Sequence, residues 1–399
     1  MSASRTIAVC GAGIGGLTAA LALARRGFAV TIVERAERLE EAGAGLQLSP
    51  NASRLLIKLG LGADLSARAI APEAIGIFAA RSGRPITRIP LGAAAAQRAG
   101  APYWVLHRAD LQAVLLAAVE ADPAITLRLG TQFRHAAPTG DGVEVIVSRT
   151  SSEETIRAAG LVGADGVWSA VRSQFFPAIK PQFANRIAWR GTIDAARLAR
   201  PFPPREVQLW LGPAMHLVAY PMSGGRRVNL VAFTPGQWHE PGWSAAGDGD
   251  ELRRWLVSAG WAGDVCRLVD AVGEWRRWAL FAMPDGGAWA SDRVALLGDA
   301  SHAMLPFMAQ GAAMAIEDAA VLARCLAASP DAPAQAFARY QALRQRRVTR
   351  VQRTARQNDK IYHLSGPIAL ARNLTMAALG GERLLRRQDW IYRWRDDGG

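Results

Sequence analysis

Ile7-Ala8-Val9-Cys10-Gly11-Ala12-Gly13-Ile14-Gly15-Gly16 is an apolar run feeding a G-x-G-x-x-G turn, with an Ala/Leu-rich helical stretch, Leu17 to Arg26, behind it. Strand, glycine turn and helix in that order make a seat for a pyrophosphate. Gly11 allows the tight turn, Gly13 lets the backbone approach the phosphates, Gly16 lets the helix pack close, and the helix N-terminal N–H groups face the anion. A second apolar run, Ala29 to Val33, delivers Glu34, which lies 21 residues beyond Gly13. An acidic side chain at that distance accepts hydrogen bonds from a ribose, so residues 7 to 34 predict a βαβ unit for an adenine dinucleotide. Arg35 then lies along the adenosine.

Two later segments narrow the dinucleotide: Leu161-Val162-Gly163-Ala164-Asp165-Gly166-Val167-Trp168-Ser169-Ala170-Val171-Arg172, and Arg293-Val294-Ala295-Leu296-Leu297-Gly298-Asp299-Ala300-Ser301-His302-Ala303-Met304-Leu305-Pro306. With the first unit they resemble, in order and spacing, the three fingerprints of the single-component flavin-dependent aromatic hydroxylases, the class of p-hydroxybenzoate hydroxylase. Ala44-Gly45-Leu46-Gln47-Leu48-Ser49-Pro50-Asn51-Ala52, His107-Arg108-Ala109-Asp110-Leu111 and the stretch Ala309 to Ala319 resemble the salicylate hydroxylase and 3-hydroxybenzoate 6-hydroxylase branch. The resemblance runs over nearly the whole chain.

It implies an α/β fold: a Rossmann-like FAD-binding domain with an inserted, mainly antiparallel β-sheet substrate domain and a C-terminal helical segment. Residues 1–72, 101–175 and 290–335 are expected to build the FAD domain, 73–100 and 176–289 the substrate domain, and 336–399 the helical tail. Short alternating runs at Arg186–Asp194, Val207–Leu211, His216–Pro221 and Val228–Phe233, separated by Gly/Pro turns, read as the antiparallel sheet, with a further strand near Glu73–Ala80. Beyond Ala334 the pattern is helical, broken at Tyr362-His363-Leu364-Ser365-Gly366-Pro367. No second G-x-G-x-x-G follows a strand, so reduced nicotinamide has no Rossmann unit of its own and must visit a shared groove.

Composition sets limits. A chain of 399 residues, half of them hydrophobic, is long enough for two domains and too apolar for disorder. The first strand leaves no room for a signal peptide, and Pro306 and Gly311 break the longest uncharged run; the reading is cytoplasmic and off the membrane. Cys10, Cys266 and Cys325 are too scattered for a zinc site, an iron–sulfur cluster or a redox pair. Net charge is +13, which admits nucleic-acid binding. From Arg339 onward, however, 14 basic residues face 5 acidic ones, so nine of those thirteen charges lie in the tail. There Arg346, Arg350, Arg353 and Lys360 recur at helical spacing, the mark of a solvated face. A flavin-dependent halogenase would need W-x-W-x-I-P and a lysine at the substrate; this chain has Trp275-Arg276-Arg277-Trp278 and only Lys58, Lys180 and Lys360.

The activity implied by the resemblance is hydroxylation of a small phenolic or N-heteroaromatic acid with NAD(P)H and O2, through a flavin C4a-hydroperoxide. A larger quinone-like substrate and a non-enzymatic flavin- or nucleic-acid-binding regulator are the alternatives, and a monomer or homodimer is expected. Oxygen transfer is faster to a phenolate, which calls for a base in the substrate sheet. His216 and Tyr220, four apart in a strand, share one face, and the resembling branch carries a His and a Tyr there. Gln310, Gly311 and Ala312 open a helix whose N–H groups and dipole are placed to stabilise negative charge on the reduced ring. The resemblance puts Asp299 on the ribityl hydroxyls, Arg108 at the ribityl–phosphate region and Asp165 between FAD and the nicotinamide groove. It also lets Pro306 shape the loop beside the ring. Gly45 and Gln47 border the ring, Gln47 touching substrate or only capping a turn. Arg190 pairs with a substrate carboxylate, and His302 is given no chemistry.

Overall fold

The computed structural model describes residues 5–39, 45–149, 152–240 and 242–396. Strand Thr6–Cys10 lies inside a six-stranded sheet, between Ala29–Val33 and Gly160–Gly163, with Val294–Leu296 next to the latter and Ile125–Arg128 next to the former. All of these pairings are parallel, and the short edge strand Ala290–Ser291 is antiparallel. Because the chain leaves Cys10 for one neighbour and Gly163 belongs to the other, a crevice opens at the carboxyl ends of the strands, where such sheets bind their ligands.

Helix Ile14–Ala24 is buried along most of its length, which only small and aliphatic residues permit. One side meets the sheet and another meets helix Gly311–Ala328: a Cβ on Gly15 would stand 2.7 Å from Leu297 Cδ2 and 3.3 Å from Ala315. On the opposite face of the sheet, a three-stranded sheet (Gln132–Pro138, Val143–Arg149, Ser152–Ala158) packs Phe133, Val145 and Val147 against Ala8 and Leu161.

The second large sheet has eight strands, in the order Ser244–Gly247, Trp275–Ala282, Gln182–Asp194, Arg227–Pro235, His216–Met222, Glu206–Leu211, Ala74–Ala79 and Pro85–Pro90. Every pair is antiparallel except Glu206–Leu211 with Ala74–Ala79, which joins the two chain segments in parallel. Period-two alternation assigns its faces. Leu217 and Ala219 point into an apolar core with Trp189, Leu230 and the helix residues Leu252, Leu256, Val265 and Val269. His216, Val218 and Tyr220 point the other way, towards the FAD-type domain.

Helix Pro333–Tyr362 starts with proline in its first turn and runs 30 residues. Arg346, Arg350, Arg353 and Lys360 are exposed on it, whereas Val348, Val351 and Ala355 are buried. After the Gly366-Pro367 break, the segment Gly366–Arg386 covers the edge strand Pro85–Pro90 so tightly that a Cβ on Gly381 would fall 1.8 Å from the Arg88 carbonyl oxygen. The edge is thereby closed to further pairing. No described helix is long and apolar enough to cross a membrane.

Candidate active site

The glycine turn shows two kinds of constraint. Gly11 has φ +104°, and a Cβ there would lie 2.4 Å from the Ala164 carbonyl oxygen; on Gly16 it would lie 1.9 Å from the Gly11 carbonyl oxygen. Both are imposed by protein packing. Gly13 differs: it is the extended N-cap of the helix, φ −73°, and a Cβ on it would meet no protein atom within 4 Å. Glu34 holds the turn, accepting from Ala12 N–H at 2.9 Å through one carboxylate oxygen and from Ala36 N–H at 2.9 Å through the other. Each oxygen keeps a lone pair for a ribose hydroxyl. Arg35 is exposed beside it and does not line the cavity.

From this turn a single cavity of about 460 Å³ runs to the large sheet. Gly13, Gly15, Arg108, Asp299, Gly311 and Ala312 line its near end, and Gln47, Arg190, His216, Tyr220 and Pro306 its far end. Asp165, expected beside the cofactor, does not itself line the cavity, although its neighbours Ala164 and Gly166 do; its Oδ2 accepts from Ala170 and Val171 N–H at 2.7 and 3.2 Å, and its Oδ1 is buried. Burial raises its pKa. Arg172 ties the two later motifs together by donating to the Ala300 and Val167 carbonyls at 2.8 and 2.5 Å. Asp299 is exposed at the start of helix Asp299–His302, and Arg108 is exposed at the start of Arg108–Glu120.

The Gln310 side chain does not reach the cavity. It is buried, donating to Ser49 Oγ at 2.8 Å and accepting from Asn51 Nδ2 at 3.1 Å, while Ser49 donates to Asn51 Oδ1 at 2.6 Å. The Gln310 side chain thus locks the Ser49-Pro50-Asn51 turn to the start of helix Gly311–Ala328, and takes no part in the cavity; the role expected of this residue at the helix start is one for its backbone. The first-turn N–H groups of Gly311 and Ala312 are what the cavity sees. Asn51 also donates to Glu317 Oε1 at 2.7 Å, and Glu317 with Asp318 forms a buried cluster with Arg344, Arg347 and His302. Burial alone would raise the Asp318 carboxyl, but His302 and Arg344 outweigh it and hold the pKa at about 2.

That depression has a sign. The unfolded carboxyl titrates near its ordinary value and the folded one lower, so the native state binds fewer protons between them. Its contribution is complete above about pH 4 and is lost as pH falls through about 2; it amounts to about 2 kcal/mol. Acid unfolding followed by tryptophan fluorescence should show this loss. In Asp318→Asn that dependence should be absent, and the protein should be destabilised by about 3 kcal/mol because His302 loses its carboxylate partner and Arg344 keeps only Glu317.

At the far end, His216 is buried, stacked on Phe233 at 4.5 Å, with Phe307 and Tyr362 edge-on at 5.2 and 5.3 Å. Burial first, then His363 and Arg186, push its pKa well below the usual histidine range, so the ring is neutral. Tyr220 is buried against Gly45, where a Cβ would lie 2.7 Å from its hydroxyl, and burial keeps that hydroxyl protonated. Gly45 N–H donates to Asn229 Oδ1 at 2.8 Å, and Gln47 Oε1 accepts from Tyr103 Oη at 2.6 Å. Ala44, the first residue of that motif, lies outside the described residues. Arg190 places its guanidinium 5.1 Å from the centre of the Trp278 ring. Pro306 accepts from Ala309 N–H at 2.9 Å in the loop leading to Gln310.

The sequence reading missed Tyr103, Tyr362, Tyr392, Asn358 and Gln388, all lining this cavity. The chain has five tyrosines, and four of them surround the far end, a concentration visible only once the tail folds back. Arg54 donates to the carbonyls of Ala99, Tyr392 and Trp394, which fixes that return. Arg347 and Arg350 add to it by facing the Trp394 and Trp390 rings at 4.9 and 3.8 Å. The stripe expected to be a solvated face is therefore only partly that: Arg350 lies on the Trp390 ring and Arg353 pairs with Asp285 at 2.8 Å.

Open space at Gly13 and uncapped N–H groups at Gly311 and Ala312 fit a dinucleotide whose phosphates meet the first helix and whose ring meets the helix Gly311–Ala328. Residues 4–355 match the FAD binding domain family. The chain is 39% identical over 388 residues to a 3-amino-4-hydroxybenzoate 2-monooxygenase of Streptomyces platensis, covering 97% of this chain and 95% of that protein. It is 34% identical over 389 residues to a 3-hydroxybenzoate 6-hydroxylase of Klebsiella oxytoca, covering 98% and 96%. A salicylate hydroxylase substrate complex superposes with a TM-score of 0.82 at 25% identity, covering 98% of this chain and 96% of that one. The chain belongs to the FAD binding domain family, among its flavin-dependent aromatic hydroxylases.

Proposed function

We propose that this chain hydroxylates a small phenolic or N-heteroaromatic acid of the salicylate or hydroxybenzoate type, using FAD, NAD(P)H and O2. The observation that carries this reading is the far end of the cavity, where Tyr103, Tyr220, Tyr362, Tyr392, Phe233 and Phe307 enclose a space with one neutral imidazole, His216, in its wall. Bound FAD supplies the two-electron carrier and the oxygen activation that no side chain provides. Gly13 and the helix behind it seat the pyrophosphate, Glu34 takes the ribose, and Asp299 and Arg108 hold the ribityl–phosphate stretch. The N–H groups of Gly311 and Ala312 meet the negative charge of the reduced ring.

His216 accepts the phenolic proton, and Tyr220 and Gln47 set the ring's orientation by hydrogen bonding. Arg190, at the mouth between sheet and cavity, receives the substrate carboxylate, for which a guanidinium is suited. The aromatic walls exclude water while the ring is attacked. Ile75, Ile77, Ile89, Val207 and Leu209 add apolar side walls to this end of the cavity. The domain division expected from sequence, and cytoplasmic residence as a monomer or homodimer, are part of the proposal.

A panel of monohydroxybenzoates, aminohydroxybenzoates and hydroxypyridine carboxylates tests it. At least one is expected to stimulate NAD(P)H oxidation and to yield stoichiometric hydroxylated product. Tight FAD binding with no stimulation by any member would favour the regulator reading and overturn the proposal.

A further inference from the structure

His216 does not stand alone. Its Nδ1 lies 2.7 Å from Nε2 of His363, the residue that follows the long tail helix, and His363 Nδ1 lies 3.0 Å from Oδ1 of Asp359, one turn earlier. Arg186, from the strand Gln182–Asp194, stands 2.9 Å from the same Asp359 oxygen and donates to the Ala214 carbonyl at 2.8 Å. Side-chain exposure rises along the row, from a buried His216 through 5% at His363 to 22% at Asp359. His363 does not line the cavity; it lies behind His216, away from the substrate.

We propose that His363 is the second member of a proton relay, His216 to His363 to Asp359, which carries the substrate's phenolic proton from the cavity to solvent. The inference rests on the hydroxylase reading and deepens it. Tautomers follow from the outer end inward. A carboxylate beside Nδ1 of His363 holds the proton on that nitrogen, leaving Nε2 with its lone pair. That lone pair accepts from His216 Nδ1–H, so His216 Nε2 is the basic nitrogen left for the cavity. The phenol O–H bond breaks as His216 Nε2–H forms, His216 Nδ1–H passes to His363 Nε2, and His363 Nδ1–H passes by Asp359 to water. The phenolate keeps the electron pair, and each imidazole ends neutral.

Burial gives the relay its purpose. Desolvation, together with His363 and Arg186, disfavours an imidazolium at His216, so this ring is a poor place to store a proton and must hand it on. The charged and titratable groups around the pair are Arg186 from the sheet and Asp359 and Tyr362 from the tail helix; Phe233 and Phe307 cover the rest.

The test uses FAD-loaded enzyme and the chromogenic probe 3-hydroxy-4-nitrobenzoate. Rapid mixing follows two signals: perturbation of the flavin band, which reports binding, and the nitrophenolate band, which reports loss of the proton. His363→Leu is expected to bind the probe at the wild-type rate and to ionise it about tenfold more slowly, with partial recovery in added imidazole. Asp359→Asn, which keeps shape and removes the carboxylate, is expected to fall between the two. Should His363→Leu fail to retain FAD, His363→Gln gives the same readout, since an amide cannot pass a proton on. Wild-type ionisation in the His363 variant with slow ionisation in His216→Ala would overturn the relay and leave His216 as the base. Wild-type ionisation in both would overturn the base as well.

Discussion

His216→Ala is expected to accept hydride from NAD(P)H at close to the wild-type rate in the presence of substrate, yet to form about a hundredfold less hydroxylated product per unit time. The missing product should be replaced by hydrogen peroxide. Reduction involves the near end of the cavity, where Gly311 and Ala312 present their N–H groups, and His216 has no part there. Oxygen transfer needs an electron-rich ring, and loss of a positioned base costs about a hundredfold or more. Single-turnover reduction and the yield of product per NAD(P)H separate the two halves. An unchanged yield in His216→Ala would take this residue out of the chemistry and move the proton to solvent or to Tyr220.

Gly13→Val should separate cofactor binding from folding. The position is extended, φ −73°, and a Cβ there meets nothing within 4 Å beyond its chain neighbours, so the added side chain points into open space. FAD approaches through that opening. Flavin affinity is therefore expected to fall by about a hundredfold, some 3 kcal/mol, while the thermal midpoint of the FAD-free protein stays at the wild-type value. Gly16→Ala is the contrast: its Cβ would overlap the Gly11 carbonyl oxygen at 1.9 Å, and both FAD affinity and the FAD-free midpoint should drop. Titration of FAD-stripped protein with FAD, alongside thermal melts without it, reads both. A loss of midpoint in Gly13→Val equal to that in Gly16→Ala would place the need for glycine at Gly13 in the fold.

Features encoded locally were legible from the sequence. The glycine turn and Glu34 are specified within one βαβ unit, and the structure puts Glu34 across the turn on Ala12 and Ala36. Alternation along His216–Met222 put His216 and Tyr220 on one face, which is the face that lines the cavity. Gln310 shows the limit. Its backbone position at a helix start was readable, but the direction of its side chain depends on Ser49 and Asn51, some 260 residues away. No periodicity carries that information. Tyr362, His363 and Tyr392 were hidden for a related reason: they lie in a segment dominated by arginine, and their role arises from the tail's return across the FAD-type domain. The arginines themselves divide by contact, with Arg344 buried on Glu317 and Asp318 and Arg346 exposed two residues on.

That return has a consequence for the order in which the molecule is made. The glycine turn, Asp165, Asp299 and the helix at Gly311 have all been synthesised before Asn358, Tyr362, Gln388 and Tyr392. The helix that carries Asn358 and Tyr362 also places Ala336, Phe337 and Tyr340 in the core of the FAD-type domain, so the flavin seat and the last wall of the chamber are completed by the same stretch of chain. The clamp of Arg54 on the carbonyls of Tyr392 and Trp394 then ties the last-made residues back to the first segment of the chain.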